Sequence, residues 1–161
     1  MVGNNIQVKN ELIEYWLAGN VTISKGNKLE QIEVVEKNLN IHLPGDLKEY
    51  FGDFNGMQEL YPNYTDSNGF LFYPLEKLIS REDELGVTTF RNEKLPEKKC
   101  IIFAEYMHKS WWYGLILNQD SPEEYDVVII PNAERFKVIT KSFWAFIHYY
   151  ITDDAILYNH E

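Results

Sequence analysis

The spacing of apolar positions divides the chain into a helical first third and a strand-rich second half. From Val8 to Ala18, Leu12, Ile13, Tyr15, Trp16 and Leu17 make a short amphipathic helix, which Gly19-Asn20 ends. A polar turn, Ser24-Lys25-Gly26-Asn27, leads to the most informative stretch, Ile32 to Gly56, which predicts helix, turn, helix and stop. Ile32, Val35, Glu36 and Leu39 share one face of its first helix, with Glu36 the one charge in an apolar stripe. Asn40 follows, a residue type that tolerates the left-handed conformation ending many helices. Leu43 is kept extended by the ring of Pro44, and Pro44 suits the first position of a new helix, where its missing N–H costs nothing. Asp46 stands in that first turn, where the dipole favours negative charge. Leu47, Tyr50, Phe51 and Phe54 then recur at three- and four-residue steps and are expected in the core, and Asn55-Gly56 closes the helix.

Beyond Gly56 the period changes. Met57 to Asn68 predicts an irregular loop, and Phe70-Leu71-Phe72 a short strand that Tyr73-Pro74 ends. Arg81-Glu82-Asp83-Glu84-Leu85 is a charged segment able to start a helix, its charges expected on a solvated face. Leu95-Pro96 and the lysines after it mark a loop. Cys100–Tyr106, Trp111–Leu117, Tyr125–Ile130 and Phe136–Thr140 predict four successive strands, joined by connections short enough for antiparallel turns. Ser142 caps a last helix with Phe143, Phe146, Ile147 and Tyr150 at helical steps, and the acidic tail, residues 153–161, is expected to fray. Helices, then strands, then a closing helix make a single α+β domain over residues 1–161, with a mainly antiparallel sheet packed against N-terminal helices and a C-terminal helix.

The Ile32–Gly56 pattern resembles the core signature of the SUKH superfamily: Ile or Leu, a Glu four residues on, Leu-Gly, Leu-Pro, spaced apolars and Asn-Gly. Ile32, Glu36, Leu39, Leu43-Pro44, Leu47, Phe51 and Asn55-Gly56 carry it, with Asn40 where the family usually has Gly. The later strand Ile101-Ile102-Phe103-Ala104 and the helix start Ser142-Phe143-Trp144-Ala145-Phe146 are similar to the family too, so the resemblance spans roughly residues 28–150. One hairpin departs from it. The usual Gly- and Asp-rich connection is replaced by Glu105-Tyr106-Met107-His108-Lys109-Ser110-Trp111-Trp112, so whatever that hairpin contacts in relatives does not transfer. The resemblance implies a non-enzymatic protein-binding module. The superfamily includes many bacterial immunity proteins that bind and inactivate a cognate toxin, frequently a nuclease, and a yeast regulator of cell-wall synthesis.

Charge narrows the partners. With 15 Lys+Arg against 25 Asp+Glu the formal net charge is −10, a field that repels nucleic acid and anionic membrane and attracts basic proteins. Cys100 is the one cysteine; it opens an apolar strand and is expected to be a small buried hydrophobe. No signal-peptide pattern and no membrane-length apolar run is present, so a cytoplasmic location is expected.

Candidate chemistry is sparse. The sequence has no Gly-rich phosphate loop, no nucleophile elbow and no His or Cys pair at metal-ligand spacing, so no catalytic residue, metal or cofactor is expected. Glu36 is either a buried general base or an acceptor for backbone N–H groups or a nearby Lys or Tyr; the structural role is preferred. Trp111, Trp112 and Tyr113 are consecutive, so a strand sends Trp112 to the opposite face from the other two. They are interface anchors or core fillers. Glu123, Glu124 and Asp126 make the acidic loop, Asp120 to Asp126, either solvated decoration or a contact surface. Trp111, Trp112, Glu123, Glu124 and Asp126 are therefore the candidate binding residues. The expected partner is a basic, nuclease-type protein toxin. The alternatives are a small-molecule-binding domain, or an enzyme with a dispersed site such as Glu36, Glu105 and His108.

Overall fold

A computed structural model describes residues 5–57, 65–86 and 98–161. Helices α1 (Asn5–Ala18), α2 (Leu29–Leu39) and α3 (Gly45–Asp53) come first, then strands β1 (Phe70–Phe72) and β2 (Ile79–Ser80) and helix α4 (Arg81–Leu85). Four longer strands follow, β3 (Lys98–Tyr106), β4 (Trp111–Asn118), β5 (Tyr125–Asn132) and β6 (Arg135–Thr140), and helix α5 (Phe143–Ile151) closes the chain. The sheet is antiparallel in the order β1-β3-β4-β5-β6, with β2 also on the β1 side of β3. The architecture is the expected α+β. The loop expected from Met57 lies partly outside the described residues, as does Leu95-Pro96 of the later one, whose following lysines, Lys98 and Lys99, begin β3 instead of belonging to a loop.

One face of the sheet packs on α5, whose Phe146 ring lies 5.2 Å from both Phe103 of β3 and Tyr113 of β4. Trp16 of α1 is fully buried and meets Phe54 and Phe72 edge-on at 5.7 and 5.9 Å. Its indole N–H donates to the Tyr150 hydroxyl at 2.9 Å, and Tyr150 in turn donates to the buried Asp66 carboxylate. Asp66 also accepts the backbone N–H groups of Asn68 and Phe70 at 2.9 Å. One carboxylate thus ties α1, α5 and the entry to β1 together, and its burial holds its pKa above the ordinary aspartate value against those hydrogen bonds. The opposite sheet face is buried as well: Cys100, Ile102, Ile116, Val128 and Ile130 are all closed to solvent.

The Ile32–Gly56 stretch folds as its pattern predicts. Asn40 takes the left-handed conformation at φ 54° and ends α2. Leu47, Tyr50, Phe51 and Phe54 are all buried. Gly56, at φ +63°, brings its backbone against the Tyr73 carbonyl, where a Cβ would come within 2.4 Å of the oxygen. Asn55 does more than stop a helix: its Oδ1 accepts the Leu75 N–H at 2.8 Å and the Asn27 side-chain N–H at 2.9 Å.

Four other expectations need correction. Pro44 is the cap of α3 rather than its first residue; its ψ of 155° is extended, and its carbonyl accepts the N–H groups of Leu47 and Lys48. Leu17, counted on the apolar face of α1, is 60% exposed, and α1 buries Val8, Leu12 and Trp16 instead. The charged segment at 81–85 is not all solvated, because Arg81 is buried and its guanidinium donates to the Ala133 carbonyl between β5 and β6. The tail does not fray: Leu157 is fully buried, and its carbonyl accepts the Tyr113 hydroxyl at 2.6 Å.

Candidate functional site

The candidate binding residues lie towards the two ends of strand β4: Trp111 and Trp112 start it, Glu123 and Glu124 are in the loop after it, and Asp126 is on β5 opposite Ile116. Eight residues separate start from finish, which at the usual strand rise puts Trp111 and the loop after Asn118 about 20 Å apart or more. Trp111 and Trp112 therefore do not meet Glu123, Glu124 and Asp126 in one patch.

At the loop end the acidic side chains are held by the protein itself. The Gly45 N–H, at the start of α3, donates to Glu123 Oε1 at 2.9 Å, so this carboxylate sits on a helix N-terminus. Asp126 pairs with Lys141 at 2.9 Å. Tyr125 between them donates its hydroxyl to Asp46 Oδ2 and accepts the Phe143 N–H, both at 2.7 Å, joining the starts of α3 and α5. Burial in the first place, with the Asp46 carboxylate assisting, pushes the Tyr125 phenol pKa well above its ordinary value. Lys99 closes the same end by donating to the Asn40 carbonyl at 2.9 Å, beyond the C-terminus of α2. An open cleft of about 350 Å³ lies here, with Lys98, Lys141, Glu124 and Asp126 on its walls and Ile116 and Asn118 among its lining. Its mixed charges largely answer one another.

Glu36 belongs to the same framework. It is 8% exposed, its Oε2 accepts the Leu43 N–H at 2.7 Å, and Lys48 approaches to 3.8 Å. The carboxylate thus fixes the chain between α2 and α3, and the structural role is what the geometry supports.

The other end is the β3–β4 hairpin. Trp111 and Trp112 are both half-buried. Trp111 stacks on Tyr106 across the hairpin with ring centroids 4.5 Å apart, has the His160 ring at 5.1 Å, and donates to the Tyr113 hydroxyl at 3.0 Å. Trp112 faces the other way, opposite Glu105 of β3 and Ile130 of β5, and its indole N–H is enclosed with no hydrogen-bond acceptor among the described residues. Glu105 is 7% exposed and accepts the Tyr73 hydroxyl at 3.2 Å. An open cleft of about 390 Å³ flanks this side, lined by Tyr73, Glu76, Glu84, Glu105 and Lys109 among others.

The tip between the two strands is the hairpin whose sequence departs from the family pattern, and its backbone is unusual. Met107, His108 and Lys109 adopt φ of 47°, 54° and 67°, three consecutive left-handed residues that all carry side chains. Left-handed geometry costs an L-residue about 1–2 kcal/mol. The tip is held by the Met107 N–H on the Gly69 carbonyl at 2.8 Å and by Ser110, whose hydroxyl donates to the Met107 carbonyl at 2.8 Å. Met107 is 50% exposed. A four-residue connection is most often built around a type I turn with negative φ at its centre, so the absence of Gly, Asn and Asp from this one did not announce the left-handed run.

Among the described residues no group of three or more His, Cys, Asp or Glu side chains is arranged to hold a metal ion. Among them too, no helix is long and apolar enough to cross a membrane. The family model described as SMI1 / KNR4 family (SUKH-1) matches residues 26–148. No curated protein shows a significant match to the chain.

Proposed function

The chain belongs to the SMI1 / KNR4 family (SUKH-1), and from that membership we propose that it is a non-enzymatic binding module that neutralises a cognate, basic protein toxin in the cytoplasm. The observation that carries the reading is the β3–β4 hairpin end. There an exposed methionine shares the hairpin with two half-buried tryptophans on opposite faces, and Glu105 and Lys109 of the same hairpin line an open cleft, on a protein with net charge −10. Aromatic and methionine side chains at a partly exposed site are the anchors that protein interfaces favour. The charge suits an inhibitor that covers the basic surface a nuclease needs for its nucleic acid, and it steers such partners together over distance.

The test is co-expression with the toxin domain encoded beside this protein, followed by binding kinetics at two salt concentrations. Protection of the cell is expected, together with an association rate that falls with salt while the dissociation rate changes less. A cell that dies despite the protein, with no complex at micromolar concentration, overturns the reading.

A further inference from the structure

Three side chains occupy backbone positions that glycine would take without steric conflict. Two have an internal reason. The Met107 sulfur lies over Gly69, where a Cβ would come within 2.5 Å of it, and Lys109 pairs with Glu84 at 2.8 Å. His108, at the apex, has none among the described residues: it is exposed and makes no hydrogen bond, ion pair or ring contact with them. A strained conformation with no such contact to offset it points outward.

We propose that the hairpin tip, with His108 at its apex, Met107 beside it and Trp111 and Trp112 on its two opposite faces, is what the basic partner docks on; this rests on the toxin-binding reading above. The chemistry fits such a partner. An imidazole offers a donor or an acceptor. A methionine adapts to irregular apolar contacts, and indole faces attract the Lys and Arg side chains in which a basic protein is rich. A second copy of this chain is a poorer occupant, because two molecules of net charge −10 repel each other. The acidic loop is poorer as well. Its Glu123 and Asp126 already hold the α3 N-terminus and Lys141.

The proposal makes fold stability and binding move in opposite directions. His108→Gly and His108→Asn remove the imidazole and relieve the backbone, since Gly and, less fully, Asn accept the left-handed region. His108→Gly is expected to raise the melting temperature by about 2–4 °C and to weaken binding of the toxin domain by about tenfold or more. His108→Asn should follow with a smaller thermal gain and a similar loss of affinity. Glu33→Gln, on the exposed side of α2, should leave affinity within about twofold. Binding that survives both His108 variants while the melting temperature rises overturns the docking surface and leaves the toxin reading in place. A lower melting temperature in His108→Gly overturns it too, because the side chain then serves the fold. Self-association that His108→Gly abolishes would give the tip to a second copy instead. Absence of any complex with the unaltered chain overturns both readings.

Discussion

The two ends of β4 treat their side chains in opposite ways. At the loop end, Glu123, Tyr125, Asp126 and Lys99 reach back to α2, to the starts of α3 and α5, and to Lys141. At the hairpin end, Met107 is half exposed and His108 is exposed, on backbone that resists its own conformation. The acidic loop looks like a contact surface in the sequence because four acidic residues fall within seven positions; in space Glu123 holds the α3 N-terminus and Asp126 holds Lys141. The hairpin tip has no charge run to draw attention, yet its apex residue His108 is exposed and makes no hydrogen bond, ion pair or ring contact among the described residues. Charge along a sequence is a poor guide to which charges are available. Placement of the acceptors they meet decides it.

The largest effects belong to the helices that the loop end clasps. Phe51→Ala should cost about 3–5 kcal/mol and Leu47→Ala about 2–5 kcal/mol, since these side chains are 1% and 0% exposed. Denaturant melts check both, and losses below about 1 kcal/mol would mean that α3 is not part of the core.

The clasp comes next. Tyr125→Phe leaves the Phe143 N–H and the Asp46 carboxylate without their shared partner and should cost about 1–3 kcal/mol. Glu123→Gln retains an acceptor for the Gly45 N–H and removes only the charge at the α3 N-terminus, so a loss of about 0.3–1 kcal/mol is expected. Thermal melts of these variants, set beside toxin affinity, sharpen the contrast between the ends: stability should fall while affinity per folded molecule holds. Affinity that falls with stability unchanged would reverse the assignment of the two ends.

What was legible in the sequence is what short-range physics determines. Asn40 ends α2 and Ser142 caps α5 through the Ala145 N–H because those choices involve residues a few positions away. The apolar runs become β3 to β6 because a strand-length apolar run is also a local signal, continuous rather than alternating in β3 to β5, which are buried on both faces. Long-range acceptors were invisible. Arg81 stands in a run of charges, and only the distant Ala133 carbonyl brings it inside. Residues 153–161 resemble a loose tail until the Tyr113 hydroxyl finds the Leu157 carbonyl and Tyr158 meets Phe70 and Tyr106. Glu123 and Gly45 are 78 residues apart, so no pattern within either segment announces their hydrogen bond. The separation of Trp111 and Trp112 from the acidic loop, by contrast, follows from strand length alone and is a geometric consequence of the strands expected there.

The claim that the partner meets the hairpin end can be tested in one measurement, hydrogen–deuterium exchange of this protein alone and in complex with the toxin domain. The account predicts slowed exchange on binding through residues 105–112, with residues 119–124 unchanged. Protection confined to 119–124, with the hairpin exchanging as in the free protein, would contradict it.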